Sequence, residues 1–217
     1  MSCCRRIDND TANCLSSTLC CAVILFIFSL VIFAIVINSP KELNFTIADA
    51  SLTRFNFVTA NTNTNNTLFY SMALNITIRN PNKKGGLYYD RFQVIANYRK
   101  KTFAVVTSAV TPFYQGPKNT TVLHFVLEGQ QAVQLEKGDI EWYGSVTSSG
   151  IYSIDVSLAL QLRNVKFRNT KSHLEPPQIY CDKLKVPLHS NNVTYFKAIE
   201  CNNVYIFTSR YDHEQSI

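Results

Sequence analysis

The longest uninterrupted apolar run lies near the N-terminus, from Leu19 to Ile37 (LCCAVILFIFSLVIFAIVI). It contains no charged residue and one hydroxyl, that of Ser29. A helix of this length, at 1.5 Å per residue, extends about 28 Å, close to the roughly 30 Å hydrocarbon core of a bilayer. The alternative is a cleaved signal peptide, whose apolar stretch is usually shorter and ends at small residues. This run ends in Ile35, Val36 and Ile37, so we expect an uncleaved membrane anchor.

Beyond Pro40 the apolar pattern changes to a period of two, which is typical of half-buried strands. The alternation is clearest in Leu68 to Ile78 and in Tyr152 to Val165. Shorter predicted strands are Phe45 to Phe57, Phe92 to Tyr98, Thr102 to Thr107, Val122 to Leu127, Ile179 to Val186 and Val204 to Phe207. Turn signals rich in Gly and Pro separate them.

Only one segment after the anchor, Glu128 to Lys137, suggests a short helix. Many short strands without alternating helices favour an antiparallel arrangement over an α/β sheet. We therefore predict a mainly β protein, with a single N-terminal transmembrane helix followed by an antiparallel fibronectin/immunoglobulin-like β-sandwich. A chain of 217 residues with 46% hydrophobic content is enough for one such core.

The orientation of the anchor is predicted from its flanks. Arg5 and Arg6 precede it, whereas Lys41 and the more distant Arg54 follow it, which is a weak bias towards a cytosolic N-terminus. Acceptor sequences for N-glycosylation follow the span at Asn44, Asn65, Asn75, Asn119 and Asn192. Asn9 begins another before the span. We expect the C-terminal domain to lie outside the cell.

The seven cysteines fall into two groups, five in or before the anchor and two far beyond it. Cys181 and Cys201 are alone in the predicted exterior domain, where they suggest one disulfide closing a loop of about 20 residues. The alternative is two buried thiols. The remaining cysteines, Cys3, Cys4, Cys14, Cys20 and Cys21, lie in or before the span. Palmitoylation of Cys14, Cys20 and Cys21 is one interpretation, and simple apolar packing is the other.

No arrangement of residues typical of catalysis is evident. The histidines, His124, His173, His189 and His213, are scattered without a metal-binding spacing. The stretch GSVTSSG (144–150) is more simply a flexible polar loop than a nucleophile elbow, and Asp139 and Glu141 are explained by strand or turn exposure. We expect no catalytic residue, no metal and no cofactor. A glycosidase built from distant carboxylates stays an alternative.

The stretch NPNKKGGLYYD (80–90) places two lysines before two glycines. A Walker-type phosphate loop needs the opposite order and a following Ser or Thr, so we expect a turn that uses Gly85 or Gly86 for a positive φ. The formal charge of the chain is +6, and other basic residues are Arg99, Lys100, Lys101, Lys166, Arg168 and Lys171. Such a surface suits acidic polysaccharide or lipid headgroups, or is merely solvated; nucleic acid is not expected.

Four motifs give the chain a resemblance to a known family. DASLTRF (49–55), RNPNKKGGLYYDRF (79–92), TPFYQGPKNTTVL (111–123) and CDKLKVPL (181–188) resemble the plant NHL proteins, the non-race-specific-disease-resistance and harpin-induced-like family. The likeness runs from about residue 43 to 207 and identifies this part as a late-embryogenesis-abundant type 2 domain. The final ten residues are an addition, and the segment before the anchor is shorter than in many family members.

The resemblance implies a sandwich of seven to eight strands at the plasma membrane, in a protein linked to defence, senescence and stress rather than to catalysis. It carries over no catalytic set. The family turn motif corresponds to Asn80, Pro81, Asn82, Lys83, Gly86, Tyr88, Tyr89 and Asp90. The resemblance also covers the turn at Tyr114, Gln115 and Gly116, the acceptor Asn119, and the cysteines 181 and 201.

The expected organisation has five parts: a cytosolic N-terminus (1–18), the anchor (19–37), a juxtamembrane linker (38–42), the sandwich (43–207) and a C-terminal tail (208–217). We expect a single-pass plasma-membrane protein of the defence and stress response. Its exterior sandwich would bind or tether a partner, such as a cell-wall polyanion, another membrane protein or a second copy. The alternatives are an extracellular enzyme acting on wall carbohydrate or lipid, and a non-specific desiccation protectant.

Overall fold

A computed structural model describes residues 4–59, 66–133, 137–163, 178–188, 196–202, 204 and 206. The chain divides into two compact units, Met1–Pro40 and Lys41–Ile217. The second unit begins at Lys41, inside the segment predicted as a linker.

The first unit is one helix, α1, from Cys4 to Asn38. Its segment Leu19–Ile37, the predicted span, is long and apolar enough to cross a membrane, and none of it is buried. Large side chains such as Phe26 and Phe33 are more than 60% exposed. The helix ends where Ser39 donates its backbone N–H to Val36 O and its hydroxyl to Ile35 O, just before Pro40. A helix with apolar side chains on every side is suited to a lipid environment.

The second unit is mainly β, as predicted. Its described elements, in chain order, are β1 (Asn44–Thr59), β2 (Asn66–Arg79), β3 (Leu87–Tyr98), β4 (Lys101–Thr107), β5 (Phe113–Gln115), β6 (Thr120–Val133), α2 (Lys137–Thr147), β7 (Ile151–Arg163), β8 (Gln178–Pro187) and β9 (Ile199–Glu200). The strands form a four-stranded sheet, β6-β2-β1-β9, and a five-stranded sheet, β4-β3-β7-β8 with β5 on β3. All these pairings are antiparallel.

Bulges explain why some strands are less visible in the sequence than others. In β1 the pairing with β2 skips Ala48 and Thr53, and each extra residue shifts the inward face by one position. The buried side chains therefore change parity twice, running Leu43, Phe45, Ile47, then Ala50, Leu52, then Phe55. Strand β3 has a similar irregularity at Asp90 in its pairing with β7. Strand β2 pairs with β6 without a shift, and its alternation is uninterrupted.

The two sheets are joined along one side by the segment that follows β9. Ile199 and Glu200 pair with β1 in the four-stranded sheet, whereas Asn202 exchanges backbone hydrogen bonds with Tyr180 of β8 in the five-stranded sheet. Between them, Cys201 forms a disulfide with Cys181, which confirms the predicted pairing. The core between the sheets includes the fully buried rings of Tyr89, Tyr98, Tyr152, Phe45 and Phe92.

Two predicted elements are wrong. The predicted helix Glu128 to Lys137 is wrong, because Glu128 to Val133 continues strand β6. The observed helix lies later, at Lys137–Thr147, where the sequence was interpreted as strand or turn and a polar loop. Helix α2 forms because Tyr143 and Val146, three residues apart, share a face that packs on the core. The predicted strand Val204 to Phe207 is not formed at its described residues, 204 and 206. Ile206 is instead buried, and its backbone N–H donates to Glu42 Oε2.

Candidate functional site

The turn between β2 and β3 is held by two buried asparagines. Asn80 donates from Nδ2 to the carbonyl oxygens of Gly85 and Gly116, at 3.2 and 3.1 Å. Its Oδ1 accepts from the backbone N–H and from Nδ2 of Asn82, at 3.0 and 3.1 Å. Gly85 has a φ of 87°, the left-handed conformation expected at this position. The turn is therefore fixed by side-chain amides and not by backbone pairing alone.

Gln115 completes this group, which we call the amide cluster (Asn80, Asn82 and Gln115). It donates from Nε2 to Ile78 O at 2.8 Å and to Asn119 O at 3.3 Å, and it accepts from the hydroxyl of Tyr89 at 2.9 Å. Burial raises the pKa of Tyr89, so its hydroxyl stays protonated and able to donate. All these side chains are buried with their polar atoms paired, as a stable buried network requires.

Asn82 also holds the first residue of the β unit. Its Oδ1 accepts from the backbone N–H of Lys41 at 2.7 Å, and its Nδ2 donates to Lys41 O at 2.8 Å. Its own carbonyl oxygen accepts from the backbone N–H of Lys118 at 3.0 Å. Three separate segments of the chain therefore meet at one asparagine.

This convergence assembles four exposed lysines, which we call the lysine cluster: Lys41, Lys83, Lys84 and Lys118. Beside it lies an exposed pair of aromatic rings, the tyrosine pair Tyr88 and Tyr114, with centroids 4.7 Å apart. Their exposed fractions are 40% and 52%. A Cβ at Gly86 would collide with the ring of Tyr114, which explains why glycine occupies this position. Polar, basic and aromatic groups thus share one end of the domain.

The rest of the predicted basic surface lies elsewhere. Arg99 and Lys100 form the β3–β4 turn with φ values of 51° and 63°, at the opposite end of β3 from the amide cluster. Arg99 Nε lies 2.7 Å from Asp139 Oδ1, and its guanidinium lies 5.7 Å from the ring centre of Trp142 in α2. The basic residues therefore form at least two surfaces. Lys166, Arg168 and Lys171 lie outside the described residues.

The predicted glycosylation sites that the structure describes share one sheet. Asn44 begins β1, Asn75 lies in β2, and Asn119 immediately precedes β6. Asn44 and Asn119 are exposed, whereas Asn75 is half-buried, with Oδ1 at 2.7 Å from His124 Nδ1. Asn65 and Asn192 lie outside the described part of the chain. Glycosylation stays a prediction at all five positions.

Of the predicted palmitoylation sites, Cys20 and Cys21 are exposed free thiols on α1, and the Cys14 side chain lies outside the description. Across the described ranges there is no group of three or more His, Cys, Asp or Glu residues that could hold a metal ion. Asp139, a carboxylate considered as a catalytic candidate, lies in the first turn of α2 and forms an ion pair with Arg99 of the β3–β4 turn.

Sequence reasoning did not anticipate that Lys41 and Lys118 join Lys83 and Lys84. The only available signal was the combination of two asparagines around Pro81 with a glutamine in the next turn motif. Amides in turns often bond backbone groups, but the sequence gives no indication of which distant backbone they meet.

A family model and curated relatives agree with the resemblance seen in the sequence. The family described as Late embryogenesis abundant protein matches residues 75–172. Three curated proteins of Arabidopsis thaliana are similar: NDR1/HIN1-like protein 10 (40% identity over 79% of this chain and 72% of its own), protein 2 (43%, 75% and 66%) and protein 3 (41%, 81% and 71%). A solved structure of a protein from Archaeoglobus fulgidus aligns with 69% of this chain and 99% of its own, at 13% identity and a TM-score of 0.34.

Proposed function

Because this chain belongs to the NDR1/HIN1-like family, which is related to defence and stress, we propose that it is a single-pass plasma-membrane protein of that response. Its N-terminus lies in the cytosol, and its β domain lies outside the cell, where it binds or tethers a wall or signalling partner. The observation that carries this proposal is the exposed apolar helix Leu19–Ile37, followed after Pro40 by a disulfide-bonded β domain. Disulfides persist in oxidising compartments, which supports the exterior placement.

We also propose that the protein works by binding and has no catalytic activity. The buried polar groups of the amide cluster are fully occupied in holding the turn, and the Arg99–Asp139 pair has the geometry of a structural ion pair. The exposed lysines and tyrosines suit contact with a partner, since they carry charge and apolar area.

Topology is tested with protein made in plant cells. Under the proposal, the protein stays in the membrane fraction after a carbonate wash, and N-glycosidase increases its electrophoretic mobility. The matched control replaces Asn44, Asn65, Asn75, Asn119 and Asn192 by Gln, which should abolish the shift. Retention without a shift in the unsubstituted protein would remove the exterior assignment.

The partner is tested by fusing a labelling enzyme to the C-terminus and comparing labelled proteins with and without pathogen challenge. Wall or exterior proteins should dominate the labelled set. The full chain in detergent micelles should also be incubated with wall polymers. Saturable, salt-sensitive retention supports binding, whereas turnover of a polymer would show an enzyme. If neither is observed, the protectant hypothesis is favoured.

A further inference from the structure

We propose that the lysine cluster and the tyrosine pair form a surface that binds the headgroups of anionic lipids. In the sequence, the first lysine of this cluster follows the membrane anchor by only four residues. The proposal rests on the proposed anchoring of α1 in a membrane. It gives the β domain a second attachment, by charge, in addition to the covalent connection through residues 38–40.

The first support is the length of chain between anchor and cluster. Lys41 follows Ile37, the last apolar residue of the span, by four residues. Even fully extended, such a segment covers no more than about 14 Å. The headgroup region adds only about 5 to 8 Å to each side of the hydrocarbon core. Lys41 is therefore kept near the headgroups whatever the orientation of the domain.

The second support is that Asn82 keeps the other lysines with Lys41. The Asn82 side chain bonds both backbone groups of Lys41, and the same residue directly precedes Lys83 and accepts from Lys118. A restraint that holds Lys41 near the membrane thus holds the whole cluster there. Charges within a Debye length of about 8 Å at physiological salt attract anionic lipids strongly enough to contribute to membrane binding.

The third support is the tyrosine pair. Tyr88 and Tyr114 are exposed, and their rings lie 4.7 Å apart in a tilted arrangement. The Tyr114 ring lies against Gly86, two residues after Lys84. Tyrosine and lysine together are the residues favoured at membrane interfaces, where a ring lies among the headgroups and an ammonium group meets a phosphate. The basic turn at Arg99 is not tied to Lys41 in this way, since it lies at the other end of β3.

The test measures lysine accessibility in the full chain reconstituted into vesicles. One set is pure phosphatidylcholine, and the other contains phosphatidylglycerol as well. An uncharged amine-acylating reagent modifies the lysines, and mass spectrometry gives the rate at each position. Lys100 and Lys185, which are exposed and lie in the β3–β4 turn and in β8, serve as controls within the same molecule.

In anionic vesicles at low salt, the rates at Lys83, Lys84 and Lys118 should fall about threefold or more relative to Lys100 and Lys185, and high salt should restore them. Replacing Lys83 and Lys84 by Gln should weaken the protection of Lys118. Replacing Lys100 and Lys185 by Gln removes the same charge and should leave that protection unchanged.

Equal rates in the two vesicle types, or equal protection of Lys100, would overturn the proposal. Stronger protection by soluble polygalacturonate in neutral vesicles than by anionic lipid would also overturn it, because the surface would then bind a wall polysaccharide. Co-flotation with vesicles after a carbonate wash separates this inference from the proposed function. A chain that does not co-float refutes the anchoring, whereas one that co-floats without protection refutes only the lipid surface.

Discussion

At the scale of single residues, Asn82 has a role that its position in a surface turn does not suggest. Its side chain pairs with the backbone of Lys41 as a neighbouring strand would, while its main chain bonds Lys118. The sequence was sufficient to predict a turn here, and a positive φ at a glycine, because both follow from local residue types. It could not predict the partner of Asn82, which lies 41 residues earlier in the chain.

Replacing Asn82 by Ala should lower the free energy of unfolding by about 2 to 4 kcal/mol, because the backbone groups of Lys41 and Oδ1 of Asn80 lose partners. Urea unfolding in detergent micelles, followed by the fluorescence of Trp142, measures this change. Lys83→Ala is the matched control, since that side chain is exposed and should change stability by less than about 0.5 kcal/mol. Equal effects of the two substitutions would contradict the role of Asn82.

Two buried tyrosines should respond in opposite ways to loss of the hydroxyl. Tyr89 donates to Gln115, so Tyr89→Phe should destabilise by about 1 kcal/mol. The Tyr98 hydroxyl is buried and has no hydrogen-bond partner among the described residues, so Tyr98→Phe should be neutral or stabilising at pH 7. The same unfolding assay decides, and a loss of stability in Tyr98→Phe would show that the hydroxyl has a partner.

The pH dependence of stability gives a second measurement for Tyr98. Burial raises the pKa of Tyr98 from 10.0 to about 12. The unfolded chain therefore releases this proton at lower pH than the folded chain. Tyr98 leaves the pH dependence of stability flat below about pH 10, and it makes the folded state lose stability as the pH rises from 10 to about 12. In Tyr98→Phe, the free energy of unfolding should therefore fall less steeply between pH 10 and 12 than in the unsubstituted protein.

At the scale of elements, uninterrupted alternation was a reliable guide and interrupted alternation was not. Strands β2 and β7 were evident because their inward faces keep one parity. The predicted strands that correspond to β1 and β3 are shorter than those observed, and the prediction for β3 begins only at Phe92. Bulges change the parity of the buried positions in both strands. Helix α2 was missed because Gly144 and the following serines resemble a loop, whereas the contacts of Tyr143 and Val146 with the core outweigh that local preference.

Alanine substitutions at two glycines, one inside α2 and one after it, test whether this segment is a helix. Gly144 lies inside the helix with open space around its Cβ position, so Gly144→Ala should stabilise by about 0.5 to 1 kcal/mol. Gly150 has a φ of 64° and equally open surroundings, so Gly150→Ala should destabilise through backbone strain alone. Thermal unfolding should give shifts of opposite sign, and a destabilising Gly144→Ala would argue against the helix.

At the scale of the whole molecule, the two-sheet arrangement and the disulfide followed from the sequence because strand number, turn spacing and an isolated cysteine pair restrict the possibilities. The way the sheets are joined did not follow. The segment after β9 pairs with β1 on one side and with Tyr180 on the other, although it contains no strand pattern of its own. Short bridging segments of this kind are determined by their neighbours.

Replacing Cys181 and Cys201 by Ala should lower the free energy of unfolding by about 3 kcal/mol, as expected for closing a loop of this length. The matched control, Cys20→Ala with Cys21→Ala, alters only exposed thiols of α1 and should leave the unfolding of the β domain unchanged. Thiol labelling without reductant should modify Cys20 and Cys21 but not Cys181 or Cys201. Labelling of all four would mean that the bridge is absent.

The pairing of the first strand with the last residues also has a consequence for synthesis. Phe45 accepts a hydrogen bond from Cys201, and Glu42 accepts one from Ile206, so one edge of β1 is covered only after almost the whole domain has been made. At 5 to 20 residues per second, this interval is on the order of 10 to 30 s. During that time the uncovered edge is able to pair with other chains. A chain released after residue 181 but before residue 199 would have an exposed strand edge, and Cys181 of its β domain would lack its disulfide partner.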